Sequence, residues 1–192
     1  MRKITQDAET REKILLGTID VFNEKGLKFT MDDLAANLHM SKKTIYQLYK
    51  DKEEMFLDMV EFVFARIKET EREILENPDL STCQRIRMLL GAMPESYKDV
   101  DFQKLSSLRE KYPAIYKEVA IRLETGWEPT IELLKQGVQE GLLRDVNLAI
   151  VKMMLEASLE KFFQSDVLVD NGITYMEALD SVVDIILQGI MV

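Results

Sequence analysis

The fold of this chain is decided by residues 30–54, which read TMDDLAANLHMSKKTIYQLYKDKEE. Thr30 can cap a helix through its hydroxyl, and Asp33, three residues on, completes a short capping box. Leu34 and Leu38 then recur at helical spacing and give this helix a narrow apolar stripe. The sequence therefore predicts a short helix that packs on its neighbours and is followed by a tight turn.

A second short helix is predicted directly after this turn. Ser41 can cap its start, and Ile45, Leu48 and Tyr49 supply an inward face. The residues left pointing outward or at the helix start are Lys42, Lys43, Thr44, Tyr46 and Gln47. In a helix-turn-helix, the N-terminal residues of the second helix enter the major groove of DNA. Lysines suit phosphates or guanine there, and Gln47 suits adenine.

Two short capped helices also occur in ordinary helical proteins, where a few lysines usually mean only a solvated surface. The surrounding order favours the DNA-binding interpretation. A helix precedes the motif, and Asp51 after it begins a long amphipathic helix through Met55, Met59, Phe62 and Val63. For Tyr49, and for the lone histidine His39, we favour packing and turn roles over contact or catalysis.

The motif and its flanks resemble the tetracycline-repressor (TetR) family of bacterial regulators. The matching residues in the motif are Thr30, Leu34, Ala35, Met40, Ser41, Lys42, Thr44, Ile45, Tyr46, Tyr49, Lys52 and Glu53, and those upstream are Ala8, Arg11, Ile14, Leu15 and residues 20–27. The resemblance implies that Thr30, Thr44, Tyr46 and Lys52 touch DNA. With the residues added by position, the predicted DNA-binding set is Thr30, Ser41, Lys42, Lys43, Thr44, Tyr46, Gln47 and Lys52.

This chain departs from the family pattern at three positions. His39 stands in the turn where glycine is usual, and histidine tolerates a positive φ at modest strain. Lys43 stands where the family has a small residue, and Leu48 replaces a commoner aromatic or histidine. The DNA sequence that the protein recognises therefore cannot be taken from a relative.

The distribution of charge agrees with a DNA-binding N-terminus. The 192 residues carry a net charge of −9, but residues 1–55 hold ten basic and ten acidic residues. Residues 40–52 hold four lysines and one aspartate. A small basic tip on an acidic body confines DNA contact to that tip. We predict a DNA-binding domain in residues 1–52 and an effector-binding and dimerisation domain in residues 53–192.

Other classes of protein are disfavoured by the residue inventory. The single cysteine, Cys83, excludes an internal disulfide, and no apolar segment reaches membrane-spanning length, so we expect a cytoplasmic protein. No metal-ligand spacing or glycine-rich phosphate loop is present, so we expect neither an enzyme nor a bound cofactor. A helical adaptor that binds other proteins and not DNA remains the alternative function.

The rest of the chain predicts an all-α protein: a three-helix helix-turn-helix head and a larger C-terminal helical bundle, with about nine helices in total. One long helix is expected from Pro113 to Gly141, kinked at Pro129 and leaving a gap lined by Trp127. This gap suggests a pocket for a small, largely apolar effector. The candidate lining residues are Met88, Phe102, Tyr112, Tyr116, Trp127, Met153 and Phe162.

Two C-terminal helices, in residues 147–164 and 173–190, are apolar over most of their circumference. Such helices need cover on two sides, and a second copy of the chain supplies the outer cover most simply. The resemblance likewise implies a homodimer with a four-helix interface, for which the candidates are Met154, Ala157, Ser158, Val182 and Ile186. Two heads would then bind a palindromic operator, and we expect a repressor that an effector releases. Activation is the alternative, because the sequence contains nothing that separates the two.

Overall fold

The computed structural model describes residues 2–97 and 108–192. Its α-helices are α1 (Arg2–Lys25), α2 (Met31–Asn37), α3 (Lys42–Tyr46), α4 (Lys52–Glu76), α5 (Thr82–Leu90), α6 (Leu108–Lys111), α7 (Pro113–Glu124), α8 (Glu128–Gln139), α9 (Leu148–Gln164), α10 (Val167–Asp170) and α11 (Tyr175–Ile190). In the described ranges nine of these have five or more residues, and α6 and α10 are single turns. No strand accompanies them there beyond one isolated bridge between Leu143 and Met191. The predicted all-α class is confirmed.

The head consists of α1, α2 and α3, and its helix ends follow the predicted capping pattern. Thr30 and Asp33 form a reciprocal capping box at the start of α2. Ser41 caps α3 by accepting a hydrogen bond from the backbone of Thr44 at 3.2 Å. Between the two helices, His39 adopts a φ of +49°, the left-handed conformation expected of the turn residue.

Helix α4 begins in the head and continues into the body. Asp51 caps its start, and Met55 and Phe56 in its first turns are buried against the head. Further along, α4 packs against α5 and α7 of the body. A head that ends at residue 52 and a body that begins at residue 53 therefore share one continuous helix, and the domain boundary remains our proposal.

The single long helix predicted between Pro113 and Gly141 is wrong. Helix α7 ends at Glu124, Thr125 is extended, and Gly126 takes a φ of +76° that only glycine adopts readily. Pro129 lies in the first turn of α8, where the missing N–H costs no helical hydrogen bond. The two elements are therefore separate helices joined by a tight turn that carries Trp127.

The body packs α5 against α8, α4 against α7, and α9 against α11 and α7. Gly137 on α8 permits close packing, because a Cβ there would lie 2.8 Å from Ile86 Cδ1 on α5. The inward face of α11 buries Tyr175, Leu179, Val183 and Ile186. At the far end, the Arg144 amide donates to the carbonyl of Ile190 and so fastens the end of α11 to the loop before α9.

Candidate DNA-binding surface and effector cavity

The solvent-exposed side of α3 is distinct from its core-facing side. Ile45 and Tyr49 are buried at 0% and 4% exposure, whereas Tyr46 is 48% exposed. Ser41, Lys42, Lys43 and Gln47 are also exposed, and Thr44 is half-buried. The structure therefore brings the predicted contact residues of α3 together on one outward surface, and their contact with DNA remains a prediction.

Lys42 forms an ion pair with a carboxylate on the neighbouring helix. Its Nζ lies 2.7 Å from the carboxylate of Asp32, in the first turn of α2. The hydrogen bond to Asp32 raises the pKa of the Lys42 amine. Lys42 therefore presents an ion pair at the protein surface instead of an isolated positive charge.

Thr30 lies exposed at the start of α2, and its hydroxyl takes part in the capping box. Asp33 also accepts a hydrogen bond from Lys25. The contact with Lys25, followed by the bonds from the Thr30 backbone and hydroxyl, holds the pKa of Asp33 well below its usual range. Asp33 therefore stays ionised and fixes the orientation of Thr30.

Lys52 points into the head. Its Nζ donates to the carbonyl of Leu27 at 2.8 Å and to that of Phe29, and it lies 3.9 Å from the centre of the Phe29 ring. Burial lowers the pKa of Lys52 to about 8. The amine thus fastens the start of α4 to the turn before α2, a structural role that competes with the predicted DNA contact.

A half-buried polar cluster, which the sequence did not single out, ties the head to α4. Asp58 accepts hydrogen bonds from Tyr49 Oη at 2.5 Å and from Arg11 Nε at 2.7 Å. Burial alone would raise the pKa of Asp58, but the Arg11 and Tyr49 hydrogen bonds outweigh it and lower that pKa. Burial and the Asp58 contact raise the pKa of Tyr49. The sequence signal for this cluster was Asp58 itself, an aspartate on the inner side of the amphipathic helix α4.

A second tie between α1 and α4 lies farther along the helices. Arg66 donates to Glu12 at 2.7 Å and to Glu69 at 2.9 Å. Surface ion pairs of this kind stabilise weakly on their own. Together with the contacts of Asp58 and Lys52, they connect the head to three successive levels of α4.

The body encloses a cavity of about 170 Å³, lined by residues of α1, α4, α5, α7, α8, α9 and α11. Its lining is predominantly apolar and includes the aromatic residues Phe22, Phe64, Tyr97, Trp127, Phe163 and Tyr175. Charged side chains are confined to Lys68, Glu71 and Arg122 among the lining residues. A site of this composition suits an apolar molecule with a small polar portion.

The turn between α7 and α8 forms part of the cavity wall and is bonded to α4. Lys68 Nζ on α4 donates to the carbonyl of Gly126 at 2.9 Å and pairs with Glu71 at 2.8 Å. Trp127 Nε1 donates to the carbonyl of Leu123 at 2.7 Å, which satisfies its polar group and holds the ring in place. One side of the cavity is therefore fastened directly to the helix that carries the head.

Of the predicted effector-binding residues, Trp127 lines this cavity. Met88 and Met153 are exposed, at 46% and 55%. The remaining described members contact other groups: Tyr112 packs on Phe56, Tyr116 donates to Glu160, and Phe162 packs on Tyr175. Phe102 lies outside the described residues. Among the predicted effector-binding residues, the cavity therefore supports Trp127 and none of the others that the structure describes. Helical spacing in the sequence did not show which face of each body helix lines the cavity.

The residues predicted to form the dimer interface differ in their solvent exposure. Met154 and Ala157 on α9 are exposed, and Ser158 and Val182 are half-buried. Ile186 is only 6% exposed and belongs to the core, so its assignment to an outer face was wrong. The neighbouring Ile185 is 68% exposed and lies on the outward face of α11. Ile150 and Met153 extend the same exposed apolar character along α9.

A helix-turn-helix with an exposed second helix, joined by α4 to a larger all-α body, defines the class of helix-turn-helix transcriptional regulators. Residues 14–59 match the family described as bacterial regulatory proteins, tetR family. Residues 14–59 are therefore a DNA-binding segment of the TetR type, and transcription regulation is the function that this segment indicates.

The comparisons with individual proteins extend beyond the head. The chain is similar to the uncharacterised HTH-type transcriptional regulator YvaF of Bacillus subtilis, with 27% identity over 179 residues, 93% of this chain and 94% of that protein. A TetR regulator from Haloarcula marismortui has a similar fold, with a TM-score of 0.72, 15% identity and coverage of 96% and 100%. FadR of Bacillus subtilis, in complex with stearoyl-CoA, also has a similar fold, with a TM-score of 0.59 and 17% identity over 93% of this chain and 98% of that chain.

Across residues 2–97 and 108–192, no helix is long and apolar enough to cross a membrane. In the same part of the chain, no group of three or more histidine, cysteine, aspartate or glutamate side chains is arranged to hold a metal ion.

Proposed function

We propose that this regulator is a ligand-responsive repressor, which binds a palindromic operator as a homodimer and is released by a small, largely apolar effector. The surface of α3, with Lys43, Tyr46 and Gln47 at its centre, would enter the major groove. Two such helices related by a two-fold axis would lie about one turn of DNA apart, roughly 34 Å.

The observation that carries this proposal is the position of the cavity relative to α4. Met59, Val63 and Lys68 of α4 line it, and Phe22 of the head lines it as well. A ligand that enlarges or reshapes the cavity must therefore displace the helix on which the head is mounted. A hundredfold preference of the effector for the displaced state weakens DNA binding by about 2.7 kcal/mol.

The chemistry of the lining supports an apolar effector. Aromatic and aliphatic side chains dominate it, and the charged groups Lys68 and Glu71 are paired with each other at 2.8 Å. The stearoyl-CoA bound by the structurally similar FadR is a ligand with a long apolar portion, which is consistent with this choice.

The exposed apolar residues of α9 and α11 support the dimer. Ile150, Met153, Met154 and Ile185 are between 47% and 68% exposed. Gly189, farther along α11, would have no atom within 4 Å of an added Cβ. A second copy packed on this face would cover side chains that otherwise remain in water.

The test uses Trp127, the only tryptophan of the chain, as a built-in reporter. Purified protein is titrated with stearate, stearoyl-CoA and a steroid ketone while its fluorescence is recorded, and each compound is then added to a mobility-shift assay. The DNA probe is a duplex enriched from a random pool by the protein itself. We expect a compound that changes the Trp127 emission to release the duplex in proportion to occupancy.

Two valine variants provide the matched comparison. Val63→Phe fills the cavity, whereas Val167→Phe makes the same change at an exposed position outside it. We expect Val63→Phe to weaken effector binding at least tenfold and Val167→Phe to leave it unchanged. Equal responses of the two variants would refute the assignment of the cavity. Native mass spectrometry that detects only monomers at micromolar concentration would refute the dimer.

A further inference from the structure

Asp32 places a carboxylate beside the surface that approaches DNA. Its side chain is 72% exposed in the first turn of α2, and it contacts Lys42 at the start of α3 across a distance of 2.7 Å. The pair therefore bridges the two helices of the helix-turn-helix. An acidic group at this position repels the phosphates of DNA, so its effect on DNA binding is not explained by attraction to the backbone.

The lysines of the motif differ in their availability to phosphate. Lys42 is paired with Asp32, and Lys52 is directed at the carbonyls of Leu27 and Phe29. Within the described ranges, Lys43 and Lys50 have no ion-pair partner recorded. The local charge of the head tip that can neutralise phosphates is thus smaller than its four lysines suggest.

We propose that Asp32 limits the affinity of the head for DNA: its carboxylate holds the Lys42 amine and so withholds one phosphate contact. The proposal rests on the placement of α3 in the major groove. Non-specific binding depends almost entirely on the number of phosphates that the protein neutralises. Specific binding depends in addition on contacts to base edges, which an occupied Lys42 leaves unchanged. Asp32 therefore weakens both kinds of complex by the same phosphate contact and leaves the contacts to base edges unchanged.

The expected size of the effect follows from counterion release. One additional phosphate contact steepens the slope of log K against log salt by about 0.9. Between 50 and 200 mM salt, this slope corresponds to a change of about 3-fold in affinity per contact. Removal of the Asp32 charge releases Lys42 for one such contact.

The experiment compares two duplexes of equal length and composition. One is enriched by the full-length protein from a random pool, and the other is its shuffled sequence. Dissociation constants are measured by fluorescence anisotropy between 50 and 300 mM KCl for the wild type, Asp32→Asn and Asp20→Asn. Asp20 is exposed on α1 and makes the matched control, because its substitution changes the net charge of the head identically.

We expect Asp32→Asn to bind both duplexes more tightly than the wild type, with a slope steeper by about 0.9, so its gain in affinity should be about 3-fold larger at 50 mM than at 200 mM KCl. The ratio of the two affinities should be unchanged, because the contacts to base edges are unchanged. Asp20→Asn should shift both duplexes by a smaller factor and leave the slope unchanged. The double variant Asp32→Asn, Lys42→Gln should keep the slope of the wild type, because it removes a neutral pair.

Three results would overturn the role of Asp32. These are an unchanged slope in Asp32→Asn, equal effects of Asp32→Asn and Asp20→Asn, or a slope reduced by about 0.9 in the double variant Asp32→Asn, Lys42→Gln, which would mean that Lys42 already contacts phosphate. The double variant leaves no unpaired charge, so it decides the matter even if Asp32→Asn alone folds poorly. Failure to enrich any sequence would instead refute the proposed operator binding, so the two failures are distinguishable.

Discussion

The contact between α1 and α2 depends on Gly17, and its replacement by alanine should destabilise the head. A Cβ at Gly17 would lie 2.3 Å from Cδ2 and 2.9 Å from Cγ of Leu38, the residue that ends α2. Carbon atoms in contact are normally 3.5 to 4.0 Å apart. The two helices must therefore separate, or Leu38 must leave its buried position.

Two opposing effects determine how much Gly17→Ala changes the free energy of unfolding. Alanine is favoured over glycine in a helix interior by about 1 kcal/mol, so the substitution alone would stabilise α1. Overpacking in a tightly packed core costs roughly 1 to 3 kcal/mol, and here the clash involves a side chain that is 8% exposed. We expect a net loss of about 1 kcal/mol in the free energy of unfolding. Because α2 positions α3, DNA affinity should fall as well.

A double-mutant cycle in urea measures this clash. Leu38→Ala alone should cost about 2 to 5 kcal/mol through the cavity that it leaves. In the combined Gly17→Ala, Leu38→Ala variant, the new methyl group occupies part of that space, so the combined loss should be smaller than the sum by at least about 0.5 kcal/mol. A Gly17→Ala protein as stable as the wild type, or strict additivity in the cycle, would refute the close contact.

Three further predictions concern single side chains. Burial lowers the pKa of Lys52 to about 8 from an ordinary value near 10.5, so the unfolded chain binds more protons between pH 8 and 10. The free energy of unfolding of the wild type, measured in urea relative to Lys52→Gln, should therefore rise by about 1 kcal/mol from pH 8 to pH 10, a value reduced because Lys52 is partly exposed. A fall over this range would contradict the burial of Lys52. Lys68→Met removes the bond to Gly126, so acrylamide should quench Trp127 more efficiently. Thr174→Ala removes the capping box of α11 and should lower Tm by roughly 2 to 4 °C in a thermal scan.

The features that the sequence predicted well are those set by short-range chemistry. Thr30 and Ser41 cap helices through hydroxyls that reach only three residues along the chain. His39 takes its positive φ in the short turn between two helices whose starts are fixed by those caps. The inward side of α3 follows from a spacing of three and four residues, which placed Ile45 and Tyr49 in the core.

The features that the sequence missed depend on contacts between distant segments. The turn at Gly126 was obscured because apolar residues of α7 and α8 continue in nearly the same helical phase across it. Ile185 and Ile186 are adjacent and chemically identical, so only packing against the body decides which is buried. The inward direction of Lys52 follows from the carbonyls of Leu27 and Phe29, which are 25 and 23 residues away.

In the proposed mechanism, the positions of the contacts between α4 and the head set how a change in the cavity reaches DNA. Lys52, Asp58 and Arg66 hold the head to α4 at three points, whereas Lys68 holds the cavity wall. From Lys52 to Lys68 the helix is about 24 Å long, at 1.5 Å per residue. Because the head is fastened at three levels, it cannot pivot freely at residue 52 and absorb a tilt of α4. A displacement of roughly 2 Å at the cavity therefore turns the head by about 5°, and in a two-fold dimer both recognition helices move, so their spacing changes by twice the shift of each.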